Sequence, residues 1–262
     1  MRAKWMLPAF VMASGLVLAA CGSSGDEVSA GSGPTVGETA GAIEASPAAE
    51  ATAAAPSTSP LLLVVGNVVV PDGEGSDLTV VLVGQPGSSV PLVVRNLTGS
   101  TLYRIEASAV ARAADGSLAG SGGSQLGFNP SVVEPGEWAF GYVYFGADLP
   151  KDATIDVTAT GHTEPGTFLP SVDVTPVEIN VVEGQFSQQI VGIVSNGSPE
   201  DVTGPIRVTA VCFDESGTAI AGRLDGYADS DTIIAGGTAS FSIGLAGNDC
   251  PNFALGASGY GA

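Results

Sequence analysis

Four aromatic side chains alternate along one short segment, and this spacing is typical of one face of a β-strand. Trp138, Phe140, Tyr142 and Tyr144 occupy every second position, and such residues point to the same side of a sheet. If this face is exposed, it predicts a flat platform on which sugars stack. The alternative is that the aromatic face fills a hydrophobic core, because aromatic side chains dominate the interiors of β-sandwiches.

Acidic clusters are the candidates for binding a hard cation. One lies in the glycine-rich residues 72–77, and Asp225, Asp229 and Asp231 form another. Carboxylate oxygens are the ligands that Ca²⁺ prefers. Neither cluster has EF-hand spacing, and solvated turn residues are the alternative. We expect no metal cofactor and retain Asp225, Asp229 and Asp231 as calcium candidates.

Catalysis is not expected from the residue types present. The chain has one histidine, His162, whereas nucleophilic triads most often use histidine as the base. Zinc and copper sites require clusters of histidine or cysteine. We interpret His162 as a linker residue and predict that the protein is not an enzyme.

Residues 1–20 have the pattern of an export signal. Arg2 and Lys4 precede an uncharged run from Leu7 to Ala20, which is shorter than the roughly 20 apolar residues of a membrane-spanning helix. This segment is therefore predicted to be a signal peptide and is left out of the reasoning about the fold.

The end of this segment, Leu18-Ala19-Ala20-Cys21, resembles the lipobox of bacterial lipoproteins. The resemblance implies a diacylglycerol on Cys21, cleavage before it, and an often acylated new N-terminus, which would anchor the protein on the outer side of a bacterial membrane. Gly22, in place of Asp, would not mark it for inner-membrane retention. The alternative is an ordinary signal peptide followed by an incidental cysteine.

The two remaining cysteines, Cys212 and Cys250, are an even pair in a chain predicted to be exported. An oxidising compartment favours a disulfide between them. The alternative is two reduced thiols that are buried separately.

The charge balance excludes one class of partner. The signal segment carries two of the eight basic residues and none of the 27 acidic ones, so the rest has a formal net charge of −21. Nucleic-acid binding depends on cationic side chains, so we expect none.

Two segments of different composition follow the predicted signal peptide. Residues 21–60 are rich in Ala, Gly, Ser and Pro and predict a disordered linker that spans about 35 Å. From Leu61 onward, short apolar runs alternate with turn residues, which predicts an all-β region. The expected strands of the first series are 61–70, 78–83, 89–96, 104–111, 123–128, 138–145 and 153–160. Those of the second series are 172–182, 188–195, 206–213, 223–228, 239–245 and 253–260.

The two series resemble each other at a period of about 100 residues, the size of an immunoglobulin-like sandwich. Residues 93–99 align with 193–198, and 135–140 align with 235–241 if the second copy has one extra residue. We therefore expect two tandem immunoglobulin-like β-sandwiches, at 61–164 and 170–262. In this alignment Phe241 and Ile243 take the places of the aromatic face, which favours a core role.

The second series also resembles the FxLYD-type domains of bacterial and archaeal envelope proteins. Asn196, the segment Val208-Thr209-Ala210-Val211-Cys212-Phe213-Asp214, Gly217, and Gly236 ahead of Phe241 carry the resemblance. Ala210 and Cys212 depart from its pattern, and Ala113 stands at the position of Asp214 in the first domain. The resemblance implies an Ig-like sandwich without family-level catalytic residues.

These features together predict a lipid-anchored protein at the bacterial cell surface whose folded part binds without catalysis. Its expected partners are the membrane, through the lipid on Cys21, and either another envelope protein or a cell-wall glycan. Binding of carbohydrate through the aromatic strand is the alternative function.

Overall fold

Alternation of apolar and polar residues makes the strands of this chain. In Leu102–Arg112, the side chains of Ala107, Ala109 and Ala111 are buried and their neighbours are exposed, as expected when one face of a sheet covers a core. The computed structural model describes residues 59–166, 171–185 and 187–261. These residues form strands and turns without a helix, so the all-β prediction is confirmed.

Seven strands form one antiparallel sheet, called here the first module. The strands are β2 (Leu78–Val83), β3 (Ser89–Asn96), β4 (Leu102–Arg112), β5 (Leu118–Ser124), β6 (Val132–Val133), β7 (Trp138–Tyr144) and β8 (Thr154–His162). They follow the order β2-β3-β7-β5-β4-β6, and β8 pairs with the other edge of β4. The core of this module includes Val90, Leu92 and Val143.

Eight strands form the second module. They are β1 (Leu63–Val65), β9 (Ser171–Glu183), β10 (Gln188–Ser195), β11 (Val202–Phe213), β12 (Ile220–Ala228), β13 (Thr232–Ile233), β14 (Thr238–Gly244) and β15 (Asn252–Gly261). Their order is β1-β15-β9-β10-β14-β12-β11-β13. Because β15 also pairs with β11, six of these strands close on themselves around a core that includes Ile190, Phe241 and Ile243.

The first strand of the chain belongs to the second module. The sequence placed residues 61–70 in the first sandwich, but Leu63 and Val65 pair with Leu255 and Phe253 of β15. The period-two pattern identifies a strand, but it carries no information about which sheet an edge strand joins. We call residues 61–71 the strap, because they run from β15 to the first module.

A buried asparagine occurs at the same place in both modules. Asn96 and Asn196 each donate to two backbone carbonyls, the second of which belongs to Val133 or Ile233. Each side-chain oxygen accepts a bond from the amide two residues later. Buried polar groups are stable when hydrogen-bonded, so each asparagine pins a turn to the neighbouring strand.

The two modules repeat at an offset of 100 residues along β7 and β14, and this corrects the sequence alignment. Val93 pairs with Phe140, and Ile193 pairs with Ser240. Phe140 therefore corresponds to Ser240, not to Phe241, and no extra residue is needed. A shift of one residue moves every side chain to the opposite face of a strand, so Phe241 says nothing about the aromatic face of β7.

Candidate functional site

The aromatic face of β7 lies against the second module. Trp138 and Tyr142 are 2% and 7% exposed, and Phe140 is fully buried. Trp138 and Phe140 belong to a hydrophobic cluster that also contains Val211 and Phe213 of β11. Only Tyr144, at 42% exposure, is open to solvent. The four residues therefore do not form an exposed platform; three of them are covered by the second module.

Tyr142 makes a cation–π contact with Arg223 of the second module. The guanidinium carbon of Arg223 lies 3.8 Å from the centre of the Tyr142 ring, and Arg223 Nη2 donates to Asp225 Oδ1 at 2.6 Å. Burial lowers the pKa of Arg223, and the negative charge of Asp225 opposes this shift. Cation–π contacts of this kind are strongest where water is excluded, so this pair also ties the modules together.

The calcium candidates do not converge on one point. Asp225 Oδ1 also accepts from Thr209 Oγ1, so this carboxylate serves the ion pair just described. The Asp229 carboxylate accepts from the amide of Ser240, and Asp231 accepts through its backbone carbonyl. Within the described ranges, no three His, Cys, Asp or Glu side chains are grouped as a metal ion requires. The three calcium candidates therefore do not form one cluster in the described part of the chain.

The two cysteines form a disulfide, and the histidine lies at the end of β8. Cys212 and Cys250 form the expected disulfide, with Cα atoms 5.0 Å apart, and it links β11 to the segment before β15. His162 ends β8, and its Nε2 lies 3.8 Å from Glu106 Oε1 with both side chains largely exposed. An exposed pair of this kind adds little stability.

A cleft of about 510 Å³ opens where the modules meet, and we call it the inter-module cleft. The first module lines it with residues 103–107 of β4, the end of β5 and the loop 126–132, together with Pro165 and Gly166 beyond β8. Ser171 and Ser258 line it from the second module. Its volume lies in the range of small-molecule sites, which occur preferentially at such junctions.

Arg104 lines this cleft from a strained position. Its φ is +42°, and it lies where the pairing of β4 with β8 shifts register between Tyr103 and Glu106. Left-handed backbone is costly for a residue with a side chain, and such outliers concentrate at functional sites. Among the described residues, no carboxylate lies within 4 Å of the Arg104 guanidinium, so its charge is available to a ligand.

Asp173 of β9 connects the loop 126–132, which lines the cleft, to the second module through hydrogen bonds. Its carboxylate accepts hydrogen bonds from the amide of Ser131 at 2.9 Å, from Ser131 Oγ at 3.0 Å, and from the amide of Val132 at 3.3 Å. Burial raises the pKa of Asp173 to about 6, although these hydrogen bonds oppose the shift. The wall of the cleft is thus held by an ionisable contact between the two modules.

The sequence did not identify Arg104 or Asp173. One signal could have drawn attention to Arg104: residues 21–262 contain only six Lys and Arg side chains against 27 acidic ones, so each of the six is conspicuous. Nothing local marks Asp173, since its partners lie about 40 residues away in the chain. The module junction exists only once the whole chain has folded.

Several sequence predictions fall on residues that the structure does not describe. Cys21, the signal peptide and the linker up to residue 58 lie outside the described ranges, as do residues 167–170 between the modules. In the described ranges, no helix has the length and apolar character of a membrane span. No protein-family model matches the chain, and no curated protein sequence matches it. The lipobox and FxLYD resemblances therefore stay predictions.

Proposed function

We propose that this protein is a lipid-anchored, extracytoplasmic binding protein without catalytic activity, and that its ligand occupies the inter-module cleft. In this proposal, Cys21 carries the lipid. The single observation that carries the ligand site is the cleft of about 510 Å³ lined by the strained Arg104, which has no carboxylate within 4 Å among the described residues.

In this proposal the two modules are tandem immunoglobulin-like sandwiches that act as one unit. Their shared strand order supports this, because β3, β7, β5 and β4 follow the same path as β10, β14, β12 and β11. The close approach of the modules supports it too: Gly256 of β15 has no side chain, and a Cβ there would lie 2.6 Å from Asn129 Cβ. A cleft between two modules fixed in this way keeps its shape, which favours ligand binding.

The anchor is tested by cell fractionation. We expect the full chain to sediment with membranes and Cys21→Ser to appear in the soluble extracytoplasmic fraction, because two or more acyl chains are needed for firm attachment. Mass spectrometry of the wild-type N-terminus should find the lipid on Cys21. Equal membrane association of both proteins would refute the anchor.

The cleft is tested with a filled variant. Gly123 lines the cleft, and a Cβ there would meet only ordinary contacts, so Gly123→Phe should occupy the space without disturbing β5. Gly244→Phe, on an exposed strand position with nothing within 4 Å, is the matched control.

Native mass spectrometry of the full chain in detergent, after incubation with a small-molecule and glycan extract of the source cell's envelope, gives the readout. We expect the wild type and Gly244→Phe to retain the same ligand and Gly123→Phe to lose it. Retention by all three proteins would move the site elsewhere. Binding to cell-wall sacculi that survives in Gly123→Phe would favour the carbohydrate alternative through another surface.

A further inference from the structure

Arg207, on the outer face of β11, is a buried cation that forms no ion pair with the described residues. The residue is 8% exposed, and its side chain makes one hydrogen bond, from Nη2 to the carbonyl of Leu126 in the first module. Nε is buried and has no partner. Among the described residues, no carboxylate lies within 4 Å of its guanidinium.

Arg95, which is buried, and Arg223, which is partly buried, are both compensated, and Arg207 differs from them. Arg95 is 7% exposed and donates to three carbonyls, and Asp72 lies 3.8 Å away. Arg223 has Asp225 and the ring of Tyr142. Arg207 instead adds a like charge near Arg223, since its charge contributes to lowering the pKa of Arg223 behind the larger effect of burial.

A buried charge is expensive unless an opposite charge and hydrogen bonds compensate it. In the described part of the chain, no carboxylate comes within 4 Å of Arg207 to supply that opposite charge. Replacing an uncompensated buried charge by an apolar side chain is often neutral or stabilising, so stability alone does not account for an arginine here. A bound anion is the simplest compensation.

A recess of about 60 Å³ lies beside Arg207 and has the size for this anion. A water molecule in the liquid occupies about 30 Å³, so the recess has room for one carboxylate group and little more. Ser171, Ser258, Tyr227 and Tyr260 are among the residues that line it, and each carries a hydroxyl group of the kind that can donate to a carboxylate.

The recess adjoins the inter-module cleft, because Leu126, Ser171 and Ser258 line both. A ligand with its carboxylate at Arg207 would therefore extend into the larger space, where Arg104 offers a second cation that no carboxylate of the described residues pairs within 4 Å. We propose that the cleft binds a small carboxylate-bearing molecule, and that one carboxylate forms an ion pair with Arg207 in the recess. This inference rests on the proposed ligand site and names its chemical class.

The test compares a dicarboxylate with its neutral analogue. The full chain in detergent is titrated with glutarate and with glutaramide, at an ionic strength matched with sodium chloride, and its thermal midpoint and binding heat are measured. We expect glutarate to raise the midpoint by a few degrees and glutaramide to leave it unchanged. Arg207→Met should bind glutarate at least about tenfold more weakly, as expected for loss of a desolvated charge pair.

A second readout needs no ligand. Without carboxylate, Arg207→Met should be as stable as the wild type or more stable, because an apolar side chain replaces an uncompensated charge. Arg95→Met, the matched control, should be less stable, because it leaves three carbonyls without their donor. Destabilisation of both variants by similar amounts would mean that Arg207 is an ordinary structural residue.

The outcomes separate this inference from the proposed function. No response of the wild type to glutarate, or an equal response of Arg207→Met, would overturn the carboxylate assignment. An envelope ligand that Gly123→Phe loses and Arg207→Met keeps would leave the cleft as the binding site and refute its anionic ligand. Loss of the envelope ligand in both variants, with glutarate binding through Arg207, is the expected result.

Discussion

The carboxyl group of Asp173 makes stability depend on pH in an unusual direction. Its pKa in the folded protein is about 6, raised by burial from the ordinary value of 3.8. The folded state therefore binds this proton more tightly than the unfolded state. The protonated carboxyl group of Asp173 therefore stabilises the folded protein. This stabilisation is fully present below about pH 3.8 and is lost as the pH rises through about 6.

The variant Asp173→Asn lacks the titrating carboxyl group. Comparing it with the wild type therefore separates the contribution of Asp173 from those of the other carboxylates. We expect the wild type to lose up to about 3 kcal/mol of unfolding free energy between pH 4 and pH 7, relative to the variant. Urea unfolding of both proteins across this range measures the difference. Asp156→Asn, at an exposed position of β8, should run parallel to the wild type, and a parallel Asp173→Asn curve would contradict the assignment.

Residue types predicted some contacts of this protein and missed others. The disulfide was predictable, because two cysteines in a chain predicted to be exported have few other roles. The alternation of Trp138, Phe140 and Tyr142 correctly placed them on one face, but alternation does not say what covers that face. The partner of these aromatics is the other module, and only the folded chain brings Val211 and Phe213 against them.

At the scale of elements, the disulfide fixes β11 to the approach of β15. It closes a loop across a sequence separation of 38 residues. On the chain-entropy model, such a loop restricts the unfolded state by about 4 kcal/mol. We expect Cys212→Ala/Cys250→Ala to lose about this much unfolding free energy in urea.

Reductant provides the control for this prediction. It should destabilise the wild type by a similar amount and leave the double variant unchanged. If the double variant is as stable as the oxidised wild type, the bridge contributes nothing to stability and the entropy argument fails for this loop.

The strap shows where element prediction from sequence stops. Residues 61–71 were predictable as extended, because apolar residues dominate them. Their partners were not: Val69 donates to the carbonyl of Gly217, and Arg95 donates to the carbonyls of Val70 and Pro71. These contacts join residues that lie far apart in the chain. The local pattern of apolar residues carries no information about such distant partners. The same limit concealed the inter-module cleft.

At the scale of the whole molecule, the two modules share a hydrophobic cluster that neither could bury alone. It combines Val93, Trp138 and Phe140 of the first module with Val211 and Phe213 of the second. Leu62 of the strap belongs to the same cluster. Separation of the modules would expose all of these side chains to water, so the junction couples their stabilities. We therefore expect them to unfold together.

Trp138→Ala should uncouple the modules. Replacing a buried tryptophan by alanine lowers the free energy of unfolding by about 3–5 kcal/mol. Because Trp138 packs against the second module, the substitution weakens the contact between the modules as well as the packing of β7. Differential scanning calorimetry should find one two-state transition in the wild type and two separate transitions in the variant. Tyr144→Ala, on the same face of the same strand but 42% exposed, should keep one transition near the wild-type temperature. Two transitions in the wild type itself would mean that the modules are energetically independent, and a cleft between them would then lack the rigidity that the proposed ligand site requires.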